Sequence, residues 1–271
     1  MARPGARSRD RRDGLGGDQV EGRQAVLELL TVGRRPVRRV LLAQGLDPSP
    51  VLDEIEARAA RRGVPVELVP RARLDALAKT EAPQGVVALA RPVEDVSLED
   101  LVTDGPGDTF LVVAAGITDP ANLGAVLRAA ECAGATGVVL PRHRAAHLTP
   151  TVTKVASGAV EHLAFALVGG VPTALEQLRR AGVRSVGLAG EAKHSLYDLD
   201  LSTGPVALVV GSEGKGLAPL VRKRCDEVVR IPQHGVLPSL NVGMASAVAC
   251  FEVARQRGAA GGVRARSAQD G

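Results

Sequence analysis

The chain has 271 residues, 45% of them hydrophobic, enough for two ordinary cores, and its 34 Lys and Arg against 30 Asp and Glu leave a formal charge of +4, a mild excess that permits an anionic partner without requiring one. Three phenylalanines, one tyrosine and no tryptophan argue against a platform of stacked aromatics, so any RNA contact falls to Arg, Lys and backbone groups. Cys132, Cys225 and Cys250 share no ligand spacing and fit a reducing cytoplasm without disulfides or zinc, and no apolar run reaches the length of a membrane span.

Residues 1–19 lack the apolar middle of a signal peptide and read as a disordered basic tail. Residues 22–30 have helical spacing, and 37–45 read as a strand entering a turn. A helix is predicted from about Ser49, with Pro50 in its first turn and Gly63 ending it. "PVELVP" is a short strand, "RARLDALAKT" a helix and "QGVVALARPV" a closing strand, which makes residues 20–92 a small α/β domain. The stretch "EDVSLEDLVTDGPGD" that follows is acidic and ends in Gly and Pro, so residues 93–108 read as a linker with little to bury.

From residue 109 strands and helices alternate again. Strands are expected at 109–116, 137–141, 164–169, 185–190, 204–211 and 227–232. Helices are expected near 122–133, over 149–163, 173–182 and 216–225, and over 241–257, with a flexible tail from 259. Continuous apolar strands between helices indicate an α/β domain with a mostly parallel sheet covered on both faces, residues 109–258.

In open parallel sheets ligands sit beyond the carboxyl ends of the strands. That rule gathers five loops: 114–124, 140–148, 188–194, 210–216 and 231–243. "GSEGKG" has neither the order of a dinucleotide-binding turn nor that of a phosphate loop, since Gly216 follows Lys215, which disfavours a conventional dehydrogenase or NTPase. The loops offer small residues and free backbone groups, with Ile231 and Leu240 as apolar contacts for a flat ring; the adenosine of a nucleoside cofactor suits such a slot.

Three ordered segments carry a more specific signal. "TDPANLGAVLRAAECAGATGVVLP", "GPVALVVGSEGKGLAPLVRKRCDEVVRIP" and "SLNVGMASAVACFEVARQR" resemble the three motifs of the SpoU/TrmH family of RNA ribose 2'-O-methyltransferases, within the SPOUT superfamily. "TKVASGAVEH" and "EAKHSLYDLDLSTGP" are similar to connecting segments of its 23S rRNA guanosine branch, and residues 22–91 resemble that branch's ribosomal-protein-like substrate-binding domain more loosely.

The resemblance implies a C-terminal domain tied in a trefoil knot that holds S-adenosyl-L-methionine, a homodimer, an RNA substrate and no metal. It implies a cofactor site at Gly211, Ile231 and Leu240, with Leu188, Ala189, Gly190 and Pro232 beside them. Gly235, Gly243, Pro232 and Pro238 then serve the geometry of a tight crossing. By the same resemblance Arg128, Asn122, Glu213, Asn241 and Ser239 form the catalytic set. Arginine is always protonated, so Arg128 is expected to bind the neighbouring phosphate and polarise the hydroxyl, its action as a base left open. Asn122 also reads as a helix cap, Glu213 as a group that accepts hydrogen bonds from a neighbouring loop or orients Arg128, and Asn241 or Ser239 as the cap of the last helix. Lys215 is a phosphate candidate.

Departures from the family pattern occur at Gly243, where many relatives have serine, at Gln233 after "IP", and at Pro83 before Gln84. His143 and His147 lack a third ligand, and Arg142 and Arg144 are better read as phosphate contacts. Arg34, Arg35, Arg38, Arg39, Arg61 and Arg62 read either as an RNA footprint or as a solvated rim. A tRNA or an antibiotic-resistance rRNA methyltransferase, a non-catalytic RNA-binding or ribosome-assembly protein and an enzyme on another nucleotide remain as alternative readings.

Overall fold

Proline occupies the first turn of five helices, where its missing N–H costs nothing: α2 (Pro50–Arg61), α5 (Pro120–Cys132), α6 (Pro150–Val155), α8 (Val171–Arg180) and α9 (Pro219–Arg224). The computed structural model describes residues 15–103, 109–143, 145–237 and 239–261. The rest of the two predicted tails, the end of the predicted linker, Arg144 and Pro238 lie outside the described residues.

The N-terminal domain holds β1 (Gln19–Glu21), α1 (Arg23–Val32), β2 (Val37–Ala43), α2, β3 (Val66–Val69), α3 (Arg71–Leu77) and β4 (Val86–Ala90). Its sheet runs in the order β1-β4-β2-β3, with β2 and β3 parallel and the other two pairings antiparallel. Leu29, Leu30, Ile55 and Val86 fill its core. Each such side chain contributes about 1.5–3 kcal/mol by leaving water.

The C-terminal domain holds β5 (Phe110–Ala115), α5, β6 (Gly137–Pro141), α6, α7 (Ala159–His162), β7 (Ala164–Val168), α8, β8 (Arg184–Leu188), β9 (His194–Ser195), β10 (Val206–Gly211), α9, β11 (Glu227–Arg230) and α10 (Val242–Gly261). Its seven strands are parallel throughout, in the order β7-β6-β5-β10-β8-β11-β9. Alternate strand residues feed opposite cores: Val112, Val138 and Leu208 pack with α5 and α10, while Leu111, Val113 and Val209 pack with α8 and α9. β10 enters late in the sequence yet lies between β5 and β8, so the chain order reverses there.

Several expectations need correction. The predicted helix over 149–163 is two helices, because Ser157 (φ 50°) and Gly158 (φ 94°) leave the right-handed region between α6 and α7. The supposed linker contains α4 (Leu98–Thr103), with Val93 and Leu101 buried and Val96 bridged to Ala166. The supposed N-terminal tail ends early: Leu15 is buried in the C-terminal core, Gly16 bridges Leu148, and β1 begins at Gln19. At the other end α10 continues through 259–261.

The two domains are locked together. Arg35 grips Glu161 of α7 with two hydrogen bonds, Nε to Oε2 at 2.9 Å and a terminal guanidinium nitrogen to Oε1 at 2.6 Å, and its other terminal nitrogen donates to the carbonyls of Gly17 and Arg91. Both side chains are buried, at 8% and 3% exposure. Arg34 donates to the Leu163 carbonyl across the same seam, and Arg62 to the carbonyls of Leu30 and Thr31. Arg39 pairs with Glu67 and Arg61 with Glu54, so most of the arginine cluster read as an RNA footprint or a rim is engaged within the molecule.

Candidate active site

A cavity of about 610 Å³ opens beyond the carboxyl ends of β8, β10 and β11, beside the point where strand order reverses. Three loops build it: Leu188–Glu191, Val210–Leu217 and the passage from Ile231 to the first turn of α10. Its volume falls within the roughly 300–1,000 Å³ of small-molecule sites.

The second loop folds back on itself. Ser212 N donates to the Gly216 carbonyl at 3.1 Å and Gly216 N returns the bond at 2.9 Å. Gly211 makes this closure sterically feasible, since a Cβ there would lie 2.2 Å from the Gly216 carbonyl carbon and 2.5 Å from Leu217 N. Leu188, Val210, Leu217, Ile231 and Leu240 supply apolar wall, and Ser212, Glu213, Lys215, Ser239 and Asn241 supply polar groups.

At its rim three side chains form a line. Asn241 Nδ2 donates to Asn122 Oδ1 at 2.8 Å, and Asn122 Nδ2 donates to Glu213 Oε2 at 2.7 Å. Asn241 Oδ1 in turn accepts from Gly243 N at 2.8 Å, so the asparagine that caps α10 also begins the line. The cap of α5 is Asp119, whose carboxylate accepts from Asn122 N at 2.7 Å; Asn122 is not the cap, and its side chain is left to join the other two elements. Two amides donating in series toward a carboxylate fix its direction.

Of the predicted residues, Gly211, Ile231, Leu240, Leu188, Ala189, Gly190, Glu213, Asn241 and Ser239 line this one cavity. Pro232 stands between two lining residues without lining it itself, and Asn122 joins through its hydrogen bonds. Arg128 does not meet Glu213: it is exposed further along α5 and donates to Ser157 Oγ at 3.3 Å. Val242 and Ala245 also line the cavity and were not anticipated, because inside an apolar helix pattern nothing distinguishes a wall residue from a core residue.

The glycine at 243 has a steric reason. A Cβ there would lie 2.8 Å from Ala125 Cβ, where α10 crosses α5. Burial pushes the thiol of Cys250, on the same helix, up to about 12, and that of Cys225 up to about 11, so neither is a nucleophile near neutrality. Among the described residues no group of three His, Cys, Asp or Glu is placed to hold a metal ion.

Comparison with known proteins assigns this arrangement. The SpoU rRNA Methylase family profile matches residues 109–251, and that of the RNA 2'-O ribose methyltransferase substrate-binding domain matches residues 19–96. The chain belongs to the SpoU rRNA methylase family. It is 40% identical over 243 residues to the 23S rRNA (guanosine-2'-O-)-methyltransferase RlmB of Pseudomonas putida, covering 89% of this chain and 97% of that protein. The SpoU methyltransferase AviRb from Streptomyces viridochromogenes, solved with the cofactor AdoMet, superposes with a TM-score of 0.72 at 29% identity, covering 88% of this chain and 89% of that one. An AdoMet-bound rRNA methyltransferase from Sinorhizobium meliloti does so with a TM-score of 0.71 at 25% identity, covering 88% and 86%. S-adenosyl-L-methionine is the cofactor of this SpoU methylase, and the apolar, backbone-lined cavity at Gly211 suits it.

Proposed function

We propose that this protein methylates the 2'-hydroxyl of a guanosine ribose in 23S rRNA. The observation that carries the reading is the cavity at the strand ends, with Glu213 held at its rim by Asn122 and Asn241. Held there by the backbone at Gly211 with Ile231 and Leu240, S-adenosyl-L-methionine would supply an electrophilic methyl group to the ribose oxygen, its sulfur leaving as a neutral thioether and the hydroxyl proton passing to solvent. The Ile231 and Leu240 walls hold the adenine-sized end and exclude water from it. Glu213 and the two asparagines fix the hydroxyl in line, which is where most of the rate gain of a positioned displacement arises. Arg128, exposed on α5, binds the adjoining phosphate.

The knot expected from the family accounts for the long passage from β11 to α10 past the ends of β8 and β10. A homodimer accounts for α10, whose outward face carries Met244, Val248 and Phe251 at helical spacing, exposed by 63%, 36% and 51%. A cytoplasmic location fits an rRNA substrate, and among the described residues no helix is long and apolar enough to cross a membrane. Ribose-methylation mapping of total RNA, with the protein, without it and with Arg128→Ala, tests the reading. One 23S rRNA guanosine should lose its methyl group both in the absence of the protein and with the variant. Loss of a tRNA site instead, or of none, would refute it.

A further inference from the structure

Several arginines in this molecule are neutralised where they stand. Arg35, Arg39, Arg184, Arg222, Arg224 and Arg255 each pair with a glutamate. Two others differ. Arg128 is held by the hydroxyl of Ser157, and Arg23 by neutral oxygens, donating from Nε to the Gln84 carbonyl at 3.3 Å and from a terminal nitrogen to Ser49 Oγ at 3.2 Å. Both guanidiniums are oriented without being neutralised by those partners.

They are joined by a continuous line of contacts across the domain seam. Ser157, which holds Arg128, bonds back to the Lys154 carbonyl through its own N–H at 3.0 Å. The Lys154 stem lies against Gly22 of the other domain, 3.5 Å from where a Cβ would stand, and Gln84 Oε1 is 3.3 Å from the same point. Gln84 Oε1 accepts from Arg23 N at 2.9 Å. Beyond Gln84, a cavity of about 370 Å³ is lined by Arg23, Arg71 and Gln84 with Asp47 as its one carboxylate. Arg71 approaches Asp75 only to 4.0 Å, with both side chains more than half exposed, so that pairing is worth little.

A second observation marks the same line. Among the described residues only Gln84 (φ 57°) and Ser157 (φ 50°) are non-glycine residues with positive φ, and they flank the seam on either side. Such strain persists where surrounding structure enforces it, and it gathers at functional sites. Here it turns Gln84 and Ser157 so that they carry Arg23 and Arg128. Glu28 lies near this line, against Gly158, but is held by Gln24 and His162.

We propose that the RNA substrate's phosphate backbone crosses from the catalytic domain to the N-terminal domain along Arg128, Lys154, Arg23 and Arg71. This rests on the methylation reading above and adds the path of the strand: Arg23 and Arg128, oriented by neutral partners, and Lys154 and Arg71, which no carboxylate among the described residues approaches closer than 4.0 Å, meet successive phosphates. Such contacts position RNA without reading its sequence.

The test is salt-dependent binding of deproteinised 23S rRNA to the full chain, with Lys154→Gln/Arg71→Gln as the path variant. Arg179→Gln/Arg180→Gln, on α8 across the sheet, is the control with the same change in charge. The path variant should bind about tenfold more weakly and lose roughly 1.4–1.8 from the slope of log affinity against log salt, one increment per phosphate contact. Its affinity for S-adenosyl-L-methionine and its melting temperature should match the wild type, and the control should bind RNA as the wild type does. A path variant with unchanged affinity and slope, or a control that loses as much, would overturn the proposal. Methyl incorporation by the wild-type protein is read in the same samples: bound RNA without incorporated methyl refutes the methylation reading, while the slopes still decide the path.

Discussion

Replacing Glu161 by alanine removes the partner of a guanidinium that cannot reach water. Arg35 is 8% exposed and always charged, and two of its three nitrogens bond Glu161 at 2.9 and 2.6 Å. The carbonyls of Gly17 and Arg91 remain to it, but neither carries a countercharge. Leaving a buried ion without its partner costs about 3–5 kcal/mol, a large share of the roughly 5–15 kcal/mol that holds a domain folded. Surface pairs are worth about 0–1 kcal/mol, so the two cases are well separated. Urea denaturation followed by circular dichroism and by hydrogen exchange at the seam measures the difference. Glu161→Ala should lose several kcal/mol and expose the seam amides before the sheet opens. Arg35→Met with Glu161→Leu should recover most of the loss, because apolar side chains of similar size need no partner. A loss under about 1 kcal/mol in the single variant would show that water reaches Arg35 and that the seam is not dry.

Gly211→Ala places a methyl group 2.2 Å from the Gly216 carbonyl carbon, so the 211–217 loop must move. At about 1–3 kcal/mol for such a displacement, affinity for S-adenosyl-L-methionine should fall about fivefold or more by calorimetric titration, whereas unchanged affinity would place the cofactor elsewhere. Phe251→Glu puts a charge at the C-terminal end of the exposed stripe on α10. Sedimentation should show the wild type as a dimer and this variant as a monomer; a wild-type monomer at micromolar concentration would end the homodimer reading.

Hydrophobic periodicity carried the architecture: nearly every strand of the parallel sheet lies where its apolar run predicts, because a strand covered on both faces has no polar alternation to blur it. The short elements β1, α4 and β9 were illegible, since two to six residues give no period, and β1 and the approach to α4 at Val96 are held by distant partners, Leu89 and Ala166. Motif resemblance assembled the cavity, yet it could not say that Asn122 would face Glu213 and leave the cap to Asp119. That choice depends on a contact ninety-one positions away in sequence. The arginines were the least legible: Arg35 and Arg128 look alike on paper, and only the fold shows one buried on a glutamate and the other turned outward.

Leu15 is packed among residues of the catalytic half, with Gly16 bridged to Leu148. A ribosome synthesises Leu15 well before its receiving pocket, so this segment must wait while the whole substrate-binding half emerges. Final closure therefore belongs to a late stage of maturation. An additional domain fused close ahead of Leu15 would burden that closure, while one fused after α10 would leave it free.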